Sequence, residues 1–339
     1  MKMENVTTPV ERSEDRAPEQ KLRPARLRDF TGQKQKVANL KTYIKGARQR
    51  GEALDHVLLD GPPGLGKTTL ANIVAAEMGV GIKCTSGPVL EKKGDLIAIL
   101  TDMEEHEVLF IDEIHRLRTA LEEILYKAME DFEIDVVIGQ GPGAKTVSLH
   151  IQPFTLVGAT TRAGLLSNPL RNRFGISCHL DFYKPDELLE IIQRSSAILS
   201  LQVDLDAARA VASRSRGTPR IANRLLRRLR DFAQAQGKNN VDLAAAESAF
   251  LALEVDEAGF DEVDRKILLA VIDKFAGGPV GITTLSTSVQ EEKNTIEDIY
   301  EPYLIQEGFL QITPRGRLAT EKAFRYFNKK NRPPQKPLF

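Results

Sequence analysis

The chain has 339 residues, which at about 150 residues per domain suggests two or three domains. Apolar residues make up 42% and charged residues 28%, which excludes global disorder, and no apolar run approaches the roughly 20 residues that span a bilayer. Lys plus Arg and Asp plus Glu number 47 each, so the chain does not hold nucleic acid simply by being basic throughout. The charge is nonetheless polarised: twelve acids against three bases over residues 101–135, seven arginines and no acid over 214–230, eight bases against Glu321 alone over 314–339. Residues 1–20 are polar and lack the apolar core of a signal peptide; they read as the disordered tail of a cytosolic protein.

In chain order, Val57, Leu58 and Leu59 predict a strand, followed by a glycine-rich turn and then Leu70, Ala71, Ile73 and Val74 at helical spacing. Further strands are expected at 81–85, 108–112, 154–160 and 177–182. Helical stretches alternate with them, which predicts a parallel sheet covered on both faces. Between Phe132 and Phe154 the pattern changes to a hairpin, 133–138 and 146–151 around the glycine-rich 139–143. From residue 184 the strands stop, and four helical patterns, 186–201, 206–215, 219–234 and 242–253, predict a small all-helical domain. Helices at 261–275, 283–289 and 295–306, then strands at 309–313 and 318–320, have the layout of a winged helix. The tail 328–339 is rich in Pro and Lys and reads as mobile. Cys84 and Cys178, far apart and unpaired by any motif, read as buried free thiols. The five histidines share no metal-ligand spacing and read as structural.

Six segments carry chemistry. Gly61, four residues, then Gly66, Lys67 and Thr68 complete a P-loop in its strand-to-helix context. Its glycines, Gly64 and Gly66 among them, let the backbone wrap phosphates; Lys67 reaches the β- and γ-phosphates, and the Thr68 hydroxyl holds magnesium. The apolar strand ending in Asp112 and Glu113 sets two acids at the carboxyl edge of the sheet, Asp112 for the magnesium shell and Glu113 to polarise water. Thr160 and Thr161 either sense the γ-phosphate or merely cap a strand. Arg171 and Arg173 are either surface charge or a finger that reaches a neighbouring subunit's nucleotide. Thr218 and Pro219 announce a helix, and Arg220 in its first turn opposes the helix dipole, so an external phosphate is the expected compensation. Arginines 224, 227, 228 and 230 read mostly as the solvated or subunit-facing side of that helix. Lys293, Arg315, Arg317, Lys322 and Arg325 form a basic set, with Arg315 and Arg317 at the wing tip in position for DNA phosphates; a protein-binding winged helix is the competing reading.

The blocks GPPGLGKTTLANIVAAEMGV, TSGPVLEKKGDL, VLFIDEIHRL, GATTRAG, RGTPRIANRLLRR, LLAVIDKFAGGPVG and TIED followed by EPYLIQEGFL closely resemble the RuvB family of AAA+ Holliday junction ATPases, over about residues 22–327. The resemblance implies an α/β P-loop AAA+ core with a parallel sheet between helices, a small helical lid and a C-terminal winged-helix domain. The domains expected are a large ATPase domain at 21–183, a lid at 184–254 and a DNA-binding head at 255–339. It implies ATP and Mg2+ as cofactors, with Lys67, Thr68 and Thr69 as their contacts and Asp112 and Glu113 as hydrolytic acids. Thr161 matches the first sensor, Arg220 the second, and Arg173 the finger given to the adjacent subunit. Leu22, Arg23 and Tyr183 match positions framing the adenine, and Glu130, Asp131 and Phe132 a segment associated with nucleotide. The hairpin 133–151 resembles the element that docks on RuvA, with Val147 and Leu149 as apolar contacts. The wing arginines resemble DNA contacts, although Ile312 stands where a basic residue is usual, which leaves Arg317 as the stronger expectation.

The activity so implied is ATP hydrolysis coupled to pulling duplex DNA, in a cytoplasmic homohexamer acting with RuvA, and with the RuvC resolvase in the same complex, during recombination, repair and the SOS response. No membrane partner is expected. An ATP-switched clamp loader or initiator that does not translocate shares the core and the wing. A protein-remodelling ATPase would want an aromatic pore loop, for which the sequence offers no convincing candidate.

Overall fold

The computed structural model describes residues 6–8, 20–138 and 145–329. Most of both tails, residues 1–5, 9–19 and 330–339, and the hairpin turn 139–144 lie outside the described residues. Two compact units emerge, one of residues 23–61 with 65–181, the other of residues up to 22, 62–64 and 182 onward.

The first unit is built on strands β1 (Val57–Asp60), β2 (Ile82–Ser86), β3 (Val108–Asp112), β4 (Glu133–Ile138), β5 (Lys145–His150), β6 (Thr155–Thr160) and β7 (Ile176–His179). Five of them form a parallel sheet in the order β2-β3-β6-β1-β7, and β4 with β5 forms a separate antiparallel hairpin. Helices α1 (Lys34–Arg50), α2 (Lys67–Met78), α3 (Lys93–Thr101), α4 (Thr119–Glu130) and the short α5 (Asn168–Asn172) alternate with the strands. The central β1, β3 and β6 are nearly continuous buried runs, as expected of strands covered on both faces. Register sets Asp60 opposite both Thr160 and His179, and Ser86 opposite Asp112, so the carboxyl ends of the strands finish level. His56 is structural, as expected: Nδ1 accepts from the Leu156 N–H at 2.8 Å, Nε2 lies 3.1 Å from the Met129 carbonyl, and burial pushes its pKa down. Cys178 is buried, but Cys84 is exposed, against expectation, because β2 is the sheet edge and its middle residue faces outward.

In the second unit, α6 (Pro185–Ile198), α7 (Leu205–Arg214), α8 (Pro219–Ala235) and α9 (Leu243–Ala252) form the helical domain. Thr218 caps α8 by accepting from the Ile221 N–H, with Pro219 at the first helical position. Its buried stripe is Ile221, Leu225, Leu226 and Leu229. Arg224, expected on the solvated side, is buried instead and donates to the carbonyls of Val6 and Thr8. Residues 6–8, read as part of a disordered tail, are themselves buried.

The winged helix follows: α10 (Glu262–Leu269) running into a π-turn at 270–274, α11 (Ile282–Val289), a helical run over 293–306, then the hairpin 310–313 with 316–319. Val280 pairs with Arg317 as a third, minimal strand. Phe260, Ile267, Leu268, Leu285, Leu304, Phe309 and Phe324 fill its core. The wing depends on Gly316, whose φ is +128° and whose Cβ, if present, would lie 2.3 Å from the Val280 carbonyl oxygen. Gly316→Ala is expected to cost this domain about 1–3 kcal/mol from backbone strain alone, read as a lower denaturant midpoint. Among the described residues, no helix is long and apolar enough to cross a membrane.

Candidate nucleotide site

β1 hands the chain to a loop in which Gly61, Gly64 and Gly66 have φ of +135°, +82° and +101°. At Gly61 the requirement is strict, because a Cβ would fall 2.4 Å from the Leu180 carbonyl oxygen. α2 starts at Lys67, so its first-turn N–H groups and the positive end of its dipole close the loop. Lys67 is buried, and its Nζ donates to the Gly61 carbonyl at 2.7 Å, which folds the amine back over its own loop. Thr68 is half-buried beside it and Thr69 is buried.

Asp112 ends β3, and Glu113 follows in the left-handed region at φ +46°, a conformation costly for any residue but glycine. Gly87 accommodates that turn: its N–H donates to the Asp112 carbonyl at 2.8 Å, and a Cβ on it would lie 2.5 Å from the Glu113 carbonyl oxygen. The turn aims the Glu113 carboxyl at the end of β6, where the Thr161 hydroxyl donates to Oε2 at 3.2 Å. Burial, then Asp112, pushes the Glu113 carboxyl up; Lys67 and the Thr161 hydrogen bond pull it down. The partial exposure and the two stabilising partners suit a base that exchanges protons with a water.

His115 also belongs here, which its spacing did not reveal. Its Nδ1 lies 3.2 Å from Glu113 Oε2 and 2.9 Å from Thr160 Oγ1, and Thr160 Oγ1 in turn accepts from the Arg162 N–H at 2.9 Å. A proton on Nδ1 satisfies both oxygens. Thr160 therefore braces the histidine while Thr161 addresses the acid. The one legible signal was the position of His115 two residues after a strand-terminal acid pair.

Arg173, just past α5, is held within its own unit: Nη2 pairs with Glu130 Oε2 at 2.9 Å, Nη1 donates to the Pro169 carbonyl at 2.8 Å, and the guanidinium lies 4.6 Å from the Tyr126 ring centre. Glu130 ends α4 and Asp131 is exposed after it; Phe132, at φ +53°, leads into the hairpin and accepts from the Ile151 N–H. Arg23 is half-buried in this unit as well.

Leu22, Gly64, Tyr183 and Arg220 belong to the other unit. Leu22 is buried and its carbonyl accepts from Arg194 at 2.9 Å. Tyr183 is buried, which pushes its phenol up, and its N–H donates to the Gly217 carbonyl at 2.8 Å. The Arg220 N–H points at the Gly64 carbonyl, 3.4 Å away. In the winged helix, Lys293 and Arg315 are exposed, and so is Ile312. Arg317, expected at the wing tip, is instead turned into the domain with its side chain 12% exposed. Its Nε and Nη2 grip Glu301 at 2.7 and 3.2 Å, and Nη2 reaches Glu297 at 2.9 Å. Two carboxylates one helical turn apart outcompete solvent for its guanidinium.

A P-loop at the carboxyl edge of a parallel sheet, braced acids on the neighbouring strand ends, a helical lid and a winged helix define an AAA+ P-loop ATPase with an appended winged-helix domain. Family models match it in succession: the P-loop domain of the Holliday junction DNA helicase RuvB over residues 22–180, the RuvB AAA lid domain over 183–256, and the RuvB C-terminal winged helix domain over 257–328. The chain belongs to the RuvB family. It is 57% identical over 333 residues, 98% of each chain, to the Holliday junction branch migration complex subunit RuvB of Flavobacterium johnsoniae. It is 59% identical over 311 residues, 92% of each, to the subunit of the same name from Flavobacterium psychrophilum. The solved Holliday junction branch migration motor RuvB of Thermotoga maritima matches at 50% identity and a TM-score of 0.84, over 91% of this chain and 99% of that one.

Proposed function

We propose that this chain is an ATP-driven motor of Holliday junction branch migration that works with RuvA on junction DNA. The observation that carries the reading is similarity to branch migration subunits over 98% of the chain, with the P-loop, the acid pair and the winged helix all inside it. The P-loop backbone and Lys67 bind the triphosphate; ionised Glu113, oriented by Thr161, takes a proton from the attacking water. Arg220 neutralises phosphate charge from the lid, and Leu22, Arg23 and Tyr183 frame the adenine. Thr68 and Asp112 are hard oxygen donors of the kind Mg2+ takes alongside nucleotide phosphates, and the ion, when bound, neutralises charge on the β- and γ-oxygens. A homohexamer around duplex DNA, with RuvC in the wider complex, is the assembly this reading implies.

ATP-dependent dissociation of a synthetic four-way junction, with and without RuvA, tests it. Dissociation that needs ATP and rises with RuvA supports the motor. ATP hydrolysis on linear DNA with no junction ever moved leaves an ATPase and favours a loader instead.

RuvA docking is assigned to the hairpin. Val147 and Leu149 stand exposed on β5, directly opposite Val136 and the buried Ile134, and so extend an apolar face outward. Leu149→Asp is expected to abolish RuvA stimulation while leaving the ATPase of the isolated protein unchanged.

DNA contact is assigned to Arg315 and Lys293. Arg315→Ala is expected to weaken duplex binding and to lower the slope of log affinity against log salt by about 1. Arg317→Ala should act differently, by leaving the buried Glu301 carboxylate unpaired and lowering the domain's melting temperature with the salt slope intact.

A further inference from the structure

Arg216 is the largest fully buried side chain described, 1% exposed, and it sits where the lid meets the winged helix. Its Nη1 donates to Asp264 Oδ2 at 2.7 Å and lies 3.7 Å from Asp261 Oδ2; both acids begin α10 and cap it through a capping box. Its guanidinium lies 4.7 Å from the Tyr303 ring centre and 5.9 Å from that of Tyr300, both on the helical run of the winged helix. Asp264 is wholly buried, and that burial pushes its carboxyl up against the pull of Arg216. A buried pair of this kind costs desolvation and is weak ground for stability, so a role in fixing geometry is the more economical reading.

The backbone agrees. Arg216 holds φ +51°, a conformation a non-glycine residue keeps only when its surroundings impose it. It is followed by Gly217, where a Cβ would lie 2.9 Å from the Phe182 Cβ, and by Thr218, which caps α8. In the first turn of α8, the Arg220 N–H faces Gly64. Arg216 also lines a small, partly open pocket whose walls include Pro62 and Pro63 from the P-loop and Asp298, Pro302 and Tyr303 from the winged helix. Its Nη2, like Asp264 Oδ1, is buried without a hydrogen-bond partner among the described residues, so the cluster holds polar capacity that a small rearrangement would satisfy. The P-loop segment, the start of the helix that carries Arg220 and the winged helix therefore border one pocket that the Arg216 guanidinium lines.

We propose that Arg216 is a positioning residue of the motor, tying the start of α8 and the P-loop segment 62–64 to the winged helix so that nucleotide affinity and DNA affinity are linked. The inference rests on the reading of the chain as an ATP-driven DNA motor. Linkage is reciprocal, so duplex DNA must change ATP affinity by the factor by which ATP changes DNA affinity, typically about 5–150-fold.

The test measures binding of a fluorescent ATP analogue to the full chain, with and without duplex DNA, beside thermal melting and four-way junction dissociation. Asp264→Asn and the double variant Arg216→Gln with Asp264→Asn are used, since the double change removes both buried charges together. The expected result is that the DNA-induced change in ATP affinity collapses to within about twofold of unity. Each ligand alone should still bind within about threefold of wild type, and Arg216→Lys should restore part of the linkage. Unchanged linkage in the variants overturns the proposal. So does loss of both single-ligand affinities together with melting, which marks a merely structural pair, and so does a wild type without linkage. A wild type that shows linkage but never moves a junction defeats the motor reading and leaves the role of Arg216 to be read from the affinities.

Discussion

Glu113→Gln is expected to lower ATP turnover by about 10²–10⁴-fold while ATP still binds. The substitution keeps the side chain's length, and its amide oxygen can take the place of Oε2 in accepting from Thr161, so the turn at φ +46° and its brace on Gly87 survive. What it removes is the carboxylate proposed to take the water's proton. Lys67, the P-loop backbone and the start of α2 are untouched, and these are the groups proposed to bind phosphate. Single-turnover hydrolysis and nucleotide affinity, measured side by side, check it: the first should fall by at least two decades and the second stay within a few-fold. Junction dissociation should stop with hydrolysis. A turnover only a few-fold below wild type would mean that Glu113 is not the base. His115 and its Thr160 brace, on the same oxygen, would then be the place to look.

Much of this was legible from local pattern. β1 and β3 announce themselves as apolar runs ended by a glycine turn and by paired acids. The P-loop glycines, the Thr218–Pro219 helix start and the two short strands of the wing are likewise local signals, and the structure places those elements within a few residues of their expected bounds. What failed depended on contacts far along the chain. Arg315 and Arg317 look equivalent in sequence, yet Glu297 and Glu301, one helical turn apart and 16 to 20 residues earlier, draw only Arg317 inward. Arg224 falls on the polar side of the α8 stripe and is buried all the same, because residues 6–8 lie over it, more than 200 residues away in sequence. Cys84 is apolar in context but lies on an edge strand, and strand order is not written in any single strand. Arg216 looked like one of seven arginines; only the aspartates and tyrosines of a different domain distinguish it.

Arg173→Ala is expected to lower turnover by about 10³–10⁵-fold with ATP binding retained, the loss typical when an arginine finger is removed. Within its own subunit the guanidinium rests against Glu130, an exposed acid, and such pairs contribute at most about 1 kcal/mol. Release toward a neighbour's γ-phosphate also gives up the Pro169 carbonyl and the Tyr126 ring, a cost that the stronger charge of a triphosphate would offset. If Arg173 is a finger, its side chain would park on Glu130 in the isolated chain and work at an interface, and its loss should leave the melting temperature close to that of wild type. Subunit mixing separates this account from a role within one subunit. An Arg173→Ala chain keeps an intact P-loop, and a Lys67→Ala chain keeps an intact finger; each alone should be inactive. Mixed, they form interfaces that pair the wild-type Lys67 of one chain with the wild-type Arg173 of the other, and hydrolysis should return at those interfaces only. Recovery that rises to a maximum near equal proportions fits a site completed by a second copy. No recovery at any ratio, with both variants still assembling, would place the work of Arg173 inside its own subunit.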